Sequence, residues 1–144
     1  GDGTFSPLRV DQSGFLLPGD AKALAFSDIN KDARPDVVAT VNSSTPKVFR
    51  NRATTGKPLA IRLNGPKGNL RGIGSRVTLH LKSGKTLVGE IHSGSSYLTG
   101  TPPVLFFAVP GTDQALAVTV RSPSGKLIRQ ELDEVARVVS VNLK

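Results

Sequence analysis

The sequence predicts an all-β protein, on three observations. Short apolar segments recur with turn residues between them. In RVTLHLKSGKTLVGEI, Val77, Leu79 and Leu81 alternate with Thr78, His80 and Lys82, the period-two pattern of a strand with one face in a core and one in water. Gly (15 residues) and Pro (10 residues) are abundant, which suits many tight turns. Only Leu132 to Val138, around ELDEV, suggests a helical turn, and it is too short to change the class.

Three strands are predicted in the first third, Ala21 to Phe26, Asp36 to Val41 and Lys47 to Asn51, as an antiparallel meander. RATTGKP, Arg52 to Pro58, has no large apolar side chain and marks a domain edge between residues 1–53 and 58–144. Seven further strands follow: Leu59 to Leu63, Ser75 to Leu81, Lys85 to His92, Val104 to Val109, Ala115 to Arg121, Leu127 to Glu131 and Arg137 to Leu143. Ser83-Gly84 and Ser124-Gly125 supply the positive φ of hairpin turns. This density of strands predicts a small antiparallel β-sandwich or a partly closed barrel.

Composition sets further bounds. Hydrophobic residues make up 38% with one Tyr and no Trp, so the core is expected to be aliphatic. Without cysteine, a disulfide scaffold and a thiolate metal site are excluded. The stretch Ile91 to Gly111 lacks Asp, Glu, Lys and Arg but is broken by Ser, Thr, Gly and Pro, so no membrane span is predicted. The formal charge is +8 and unevenly spread. From Val37 to Gly89 there is no Asp or Glu, while Lys47, Arg50, Arg52, Lys57, Arg62, Lys67, Arg71, Arg76, Lys82 and Lys85 all fall there. Arg62, Lys67, Arg71, Lys82 and Lys85 are the expected contacts for an anionic polysaccharide. The competing reading is an ordinary solvated face. Nucleic acid is disfavoured because aromatic residues for base stacking are missing; Phe49 stands alone in the basic stretch.

The loop DINKDARPD places Asp28, Asn30, Asp32 and Asp36 at positions 1, 3, 5 and 9 of a turn, with the Arg34 carbonyl at position 7. Hard oxygen donors in a tight loop suit Ca²⁺ in a structural role. The alternative is a turn in which Asp and Asn side chains hold backbone amides. Ala39 instead of Glu at position 12, and strand-like flanks, separate the loop from an EF-hand. Position 6 is Ala33 where Gly is usual, at a cost of about 1 kcal/mol if positive φ is required.

Other constellations are weaker. Gly72-Ile73-Gly74 leads into an alternating strand and not a helix, so it reads as a structural turn and not a nucleotide loop. His92, Ser93, Ser95, Ser96 and Asp113 lack a nucleophile elbow. Glu131, Asp133 and Glu134 offer no carboxylate pair suited to glycoside hydrolysis. Tyr97 either anchors its loop to the sheet or serves as a loop contact for a partner.

DINKDARPDVVATV, preceded by GDGTF, resembles the FG-GAP or VCBS repeat over about residues 1 to 51. That resemblance implies a partial β-propeller blade with calcium in its Asp-rich loop. NLRGIGSRV, SGSSYL and VTVRSPSG, in that order, resemble the ASPIC/UnbV domain of secreted proteins related to cartilage acidic proteins, over about residues 58 to 144. Ser122 stands where that family usually has Trp, and FAVPG, Phe107 to Gly111, replaces its Phe-Gly segment. Together the resemblances imply a non-catalytic, secreted, extracellular or cell-envelope module, the carboxyl-terminal portion of a larger propeller protein. Adhesion or carbohydrate and matrix interaction is the expected role. Its expected partners are the rest of that protein, an anionic polysaccharide or extracellular protein, and a second copy paired through an exposed sheet edge. The alternatives are an accessory or catalytic portion of a polysaccharide-active enzyme and a nonspecific polyanion or nucleic-acid binder.

Overall fold

A computed structural model of the chain describes residues 4–94, 96, 97 and 99–144. Gly1, Asp2 and Gly3 of the GDGTF segment, and Ser95 and Leu98 of SGSSYL, lie outside the described residues. Among the described residues there are one short helix and ten strands, in the order α1 (Val10–Ser13), β1 (Ala21–Ser27), β2 (Asp36–Val41), β3 (Lys47–Phe49), β4 (Lys57–Asn64), β5 (Arg76–Leu81), β6 (Thr86–Glu90), β7 (Val104–Val109), β8 (Ala115–Arg121), β9 (Leu127–Glu131) and β10 (Val138–Asn142). No helix is long and apolar enough to cross a membrane among the described residues. The ELDEV segment makes one turn, closed by the Ala136 amide on the Asp133 carbonyl.

The strands form three sheets, ordered β1-β2-β3, β10-β4-β7 and β6-β5-β8-β9. The first is the expected antiparallel meander. The other two share one aliphatic core. Leu59, Ile61 and Leu63 of β4, with Val139 and Val141 of β10, pack in the same cluster as Val77, Leu79 and Leu81 of β5 and Val118 and Val120 of β8. Every second residue faces inward, so Arg62 on β4 and Arg76, Thr78 and His80 on β5 lie on outer faces.

One expectation is corrected: the second part is not wholly antiparallel. β10 runs parallel to β4, from Val138 beside Ala60 to Asn142 beside Asn64. β9 lies at the edge of the four-stranded sheet and β10 in the other sheet. The chain crosses layers through residues 132–137 instead of turning back beside β9, and this crossover permits the parallel pairing. Among the described residues the sheets remain separate and no closed barrel forms.

The first sheet is held differently. Its buried residues are Ala33, Asp36 and Ala39, while Phe26, Ile29 and Val48 are exposed. The Phe15 ring lies 4.5 Å from that of Phe49, tying the segment after α1 to β3.

Candidate functional site

The sequence NGPKGNLRGIGS folds into a compact loop between β4 and β5. The Asn69 side chain makes two hydrogen bonds to one residue: its Nδ2 donates to the Ile73 carbonyl and its Oδ1 accepts from the Ile73 amide, both at 2.8 Å. The Gly65 amide donates to the Leu70 carbonyl, closing the loop from its other side. Glycine is required at two positions. A Cβ on Gly65 would lie 1.9 Å from the Asn69 carbonyl oxygen, and Gly72 combines φ of 65° with a Cβ position 2.8 Å from Leu63. The loop is then fixed to the end of β6, because the Gly74 amide donates to the Ile91 carbonyl and the Ile91 amide to the Ser75 carbonyl.

This scaffold forms one wall of an open cleft of about 710 Å³, with residues 92–94 and 100–104 as the other. Arg62, Arg71 and His92 line it, over apolar residues that include Leu63, Ile73 and Val104, and no Asp or Glu contributes to the lining. Of the expected polyanion contacts, Arg62 and Arg71 are therefore brought together. Lys67 is exposed in the same 65–73 loop but does not line the cleft.

Lys82 and Lys85 stand elsewhere, in the turn between β5 and β6, at the far end of a strand roughly 20 Å long. That end is organised by Asp113. Its carboxylate accepts from the Ser83 hydroxyl, the Ser83 amide and the Gln114 amide, and its carbonyl accepts from the Lys57 Nζ at 3.2 Å. The Ser83 hydroxyl, followed by the Gln114 amide, holds the Asp113 carboxyl below the usual carboxylate range. Within one acid-free stretch of sequence, Arg62 and Arg71 thus lie at one end of the second part and Lys82 and Lys85 at the other.

His92 and Ser93 line the cleft, whereas Asp113 is committed to the Ser83 turn, so the residues of a catalytic triad are not gathered. Nε2 of His92 instead lies 3.9 Å from the Glu90 carboxylate. Glu131 pairs with Arg129 at 2.9 Å, while Asp133 and Glu134 border a different, small recess. Tyr97 is 76% exposed, so its ring does not lie on the sheet.

In the 28–36 loop the carboxylates hold amides. Asp28 accepts from the amides of Asp32 and Ala33, both at 2.9 Å. Asp32 accepts from the Arg34 amide at 2.9 Å and from Asn30 Nδ2 at 2.8 Å. Asp36, 1% exposed, accepts from the Ile29 amide at 3.0 Å and the Asn51 amide at 2.8 Å, clipping the loop to the end of β3. The Asn30 side chain, then the Arg34 amide, hold the Asp32 carboxyl below its ordinary range. Ala33 has φ of 65° at position 6 and is buried, so the positive φ anticipated there is present. Arg34 places its guanidinium 3.3 Å from the Gly56 carbonyl, reaching towards β4. Among the described residues no group of three or more His, Cys, Asp or Glu side chains is placed to hold a metal. What remains is one spare lone pair on each oxygen of Asp28 and Asp32, since a carboxylate oxygen accepts two hydrogen bonds and each of these accepts one.

The sequence pattern alone does not mark His92 as a cleft residue; it lies two residues beyond β6, next to Ile91, on which the Gly72-Ile73-Gly74 turn closes.

No curated protein matches the chain. Residues 65–143 match the family described as ASPIC and UnbV, a span that starts within the β4–β5 loop and runs through β10. No FG-GAP or VCBS repeat is detected in the segment before it. The match covers more than half of the sequence, and the chain belongs to the ASPIC/UnbV family.

Proposed function

We propose that the chain is a non-catalytic extracellular or cell-envelope module that binds an anionic polysaccharide in the cleft between the 65–73 loop and residues 92–94 and 100–104. The single observation carrying this reading is the lining: Arg62, Arg71 and His92 meet there with no acidic side chain. Guanidinium groups pair bidentately with carboxylate and sulfate oxygens. The apolar floor of Leu63, Ile73 and Val104 suits the carbon faces of sugar rings. An open trough fits a polymer better than a small molecule, which favours enclosed pockets. Tyr97, exposed and four residues beyond the lining residue Ser93 in the chain, serves in this reading as an accessory contact.

Within this reading, residues 1–53 and 58–144 act as two units. The first serves as a blade-like meander belonging to the rest of a longer propeller protein. Its support is the antiparallel order β1-β2-β3 together with exposed Phe26 and Val48, apolar surface that a neighbouring unit would cover. Its Asp loop is built by amides and takes Ca²⁺ weakly, on the lone pairs left by Asp28 and Asp32.

The test of the cleft is binding to a panel of sulfated, uronic-acid and neutral polysaccharides and to DNA of matched charge density, at two salt concentrations. The expected result is a preference among glycans of equal charge that survives the higher salt. Equal, salt-erased binding to every polyanion would reduce the basic residues to general electrostatic attraction.

A further inference from the structure

The outer face of the β6-β5-β8-β9 sheet carries an arrangement that stability alone does not favour. Arg76 lies directly opposite Arg121 across β5 and β8, and like charges in that register repel. The row continues to Glu90 on β6 and to Leu127 on β9. In the next row Thr78 faces Thr119, whose hydroxyl lies 2.9 Å from His80 Nε2. Arg76 has a distant acid partner, Glu90, at 3.8 Å, and among the described residues Arg121 forms no ion pair. Arg76, Thr78, Thr119, Arg121 and Leu127 line a recess of about 380 Å³ on this open face.

We propose that this recess is a second anion seat, which takes a sulfate ester of a sulfated polysaccharide. Two guanidinium groups in one row, and in the next the Thr78 hydroxyl with a Thr119 hydroxyl that is free to donate when His80 Nε2 carries the proton, line one recess, a donor set that suits a tetrahedral oxyanion. Bound sulfate would also relieve the repulsion between the two arginines. The polymer, as opposed to the seat itself, rests on the polysaccharide reading of the cleft. Glu90 stands between the two sites, with one carboxylate oxygen 3.8 Å from Arg76 and the other 3.9 Å from the cleft residue His92. It is the repulsive element that makes the track selective, since a chain crossing from cleft to seat passes a negative charge.

The test is amide-resolved NMR of the full chain with a heparin oligosaccharide, a hyaluronan oligosaccharide and inorganic sulfate as probes. Heparin is expected to shift the amides of Thr78, Thr119 and Arg121, and hyaluronan to leave them in place. Arg121→Gln should weaken heparin binding about fivefold with a melting temperature that is unchanged or raised, since the repulsion with Arg76 is relieved, and Glu90→Gln should strengthen binding. Unmoved amides at Thr78 and Thr119, or wild-type affinity in Arg121→Gln, would overturn the seat. Inorganic sulfate that binds as tightly as heparin would overturn its assignment to a polymer. The two sites fail separately. Shifts at the seat that persist in Arg71→Gln after the cleft shifts vanish support a seat independent of the cleft, and cleft shifts without seat shifts refute the seat alone.

Discussion

Residues 20–51 and residues 57–144 are both built from short strands, yet they are held together by different forces. In the later region two sheets close on Leu, Ile and Val side chains, including Ile61, Val77, Leu79, Val118 and Val141, all fully buried. Burial of that kind is worth about 1.5–3 kcal/mol per side chain and needs no partner. The earlier region buries Ala33 and Ala39, small residues with little apolar area to contribute, and relies on Asp28, Asp32 and Asp36 accepting backbone amides. Hydrogen bonds of this type supply geometry more than net stability. One region carries its own core, while the other is shaped by hydrogen bonds and leaves apolar side chains such as Phe26 and Val48 exposed.

The largest effect is expected from cutting the core. Leu79→Ala removes a fully buried side chain at the centre of the shared cluster, and should cost about 2–5 kcal/mol. Chemical denaturation should show the loss in the ASPIC/UnbV region, with the amide signals of β1 and β2 retained. Simultaneous collapse of both regions would break the comparison.

Asp36→Ala is the reciprocal experiment. It leaves the Ile29 and Asn51 amides without their acceptor, at a local cost of about 2–3 kcal/mol. Hydrogen exchange should accelerate across the 28–36 loop and β3, while the core of the later sheets stays protected.

How far the sequence reaches follows the same division. Strands β2, β7, β8 and β9 are legible to the residue because alternation and turn glycines are local signals. The parallel pairing of β10 with β4 is not, since residues some eighty positions apart announce no register. The spacing of Asp28, Asn30, Asp32 and Asp36 shows a loop that turns its oxygens inward. It does not show whether they meet a cation or the chain's own amides, because both uses need the same residues. The acid-free run from Val37 to Gly89 reads as one basic surface, and only the fold shows that β5 separates Arg71 from Lys82. The opposition of Arg76 and Arg121 is likewise a product of strand pairing.

A smaller effect sharpens the role of the Asp loop. Because amides already order it, chelation should leave the fold intact, and Ca²⁺ at ten times its dissociation constant should stabilise the first region by about 1.4 kcal/mol. Asp28→Asn should remove that response. A chain that unfolds between residues 20 and 51 on chelation would show that the ion, and not the amides, builds the loop.

The smallest effect is on the acid limb. Asp32 and Asp113 both have carboxyl groups held below the ordinary value, one in each region. A depressed folded-state pKa contributes stability that is fully present above the unfolded value, about 4, and is lost as pH falls through the lower folded value. Both residues are only partly buried, so solvent limits the contribution. Asp113→Asn should flatten the melting profile of the later region below about pH 4, and Asp32→Asn that of the earlier one. Identical acid limbs in wild type and both variants would refute the assignment.

The central claim is that the ASPIC/UnbV region binds polyanions at one end and not through its total charge. Arg62 and Arg71 line the cleft, and Lys82 and Lys85 lie at the opposite end of β5. The decisive measurement is the affinity of two variants, Arg62→Glu with Arg71→Glu and Lys82→Glu with Lys85→Glu, for one sulfated oligosaccharide at physiological salt. Both variants change the net charge by the same amount. The account predicts that the first loses most of its affinity, keeping only what the Arg76 and Arg121 seat supplies, and the second keeps affinity close to that of the unaltered chain. Equal losses in the two would contradict it.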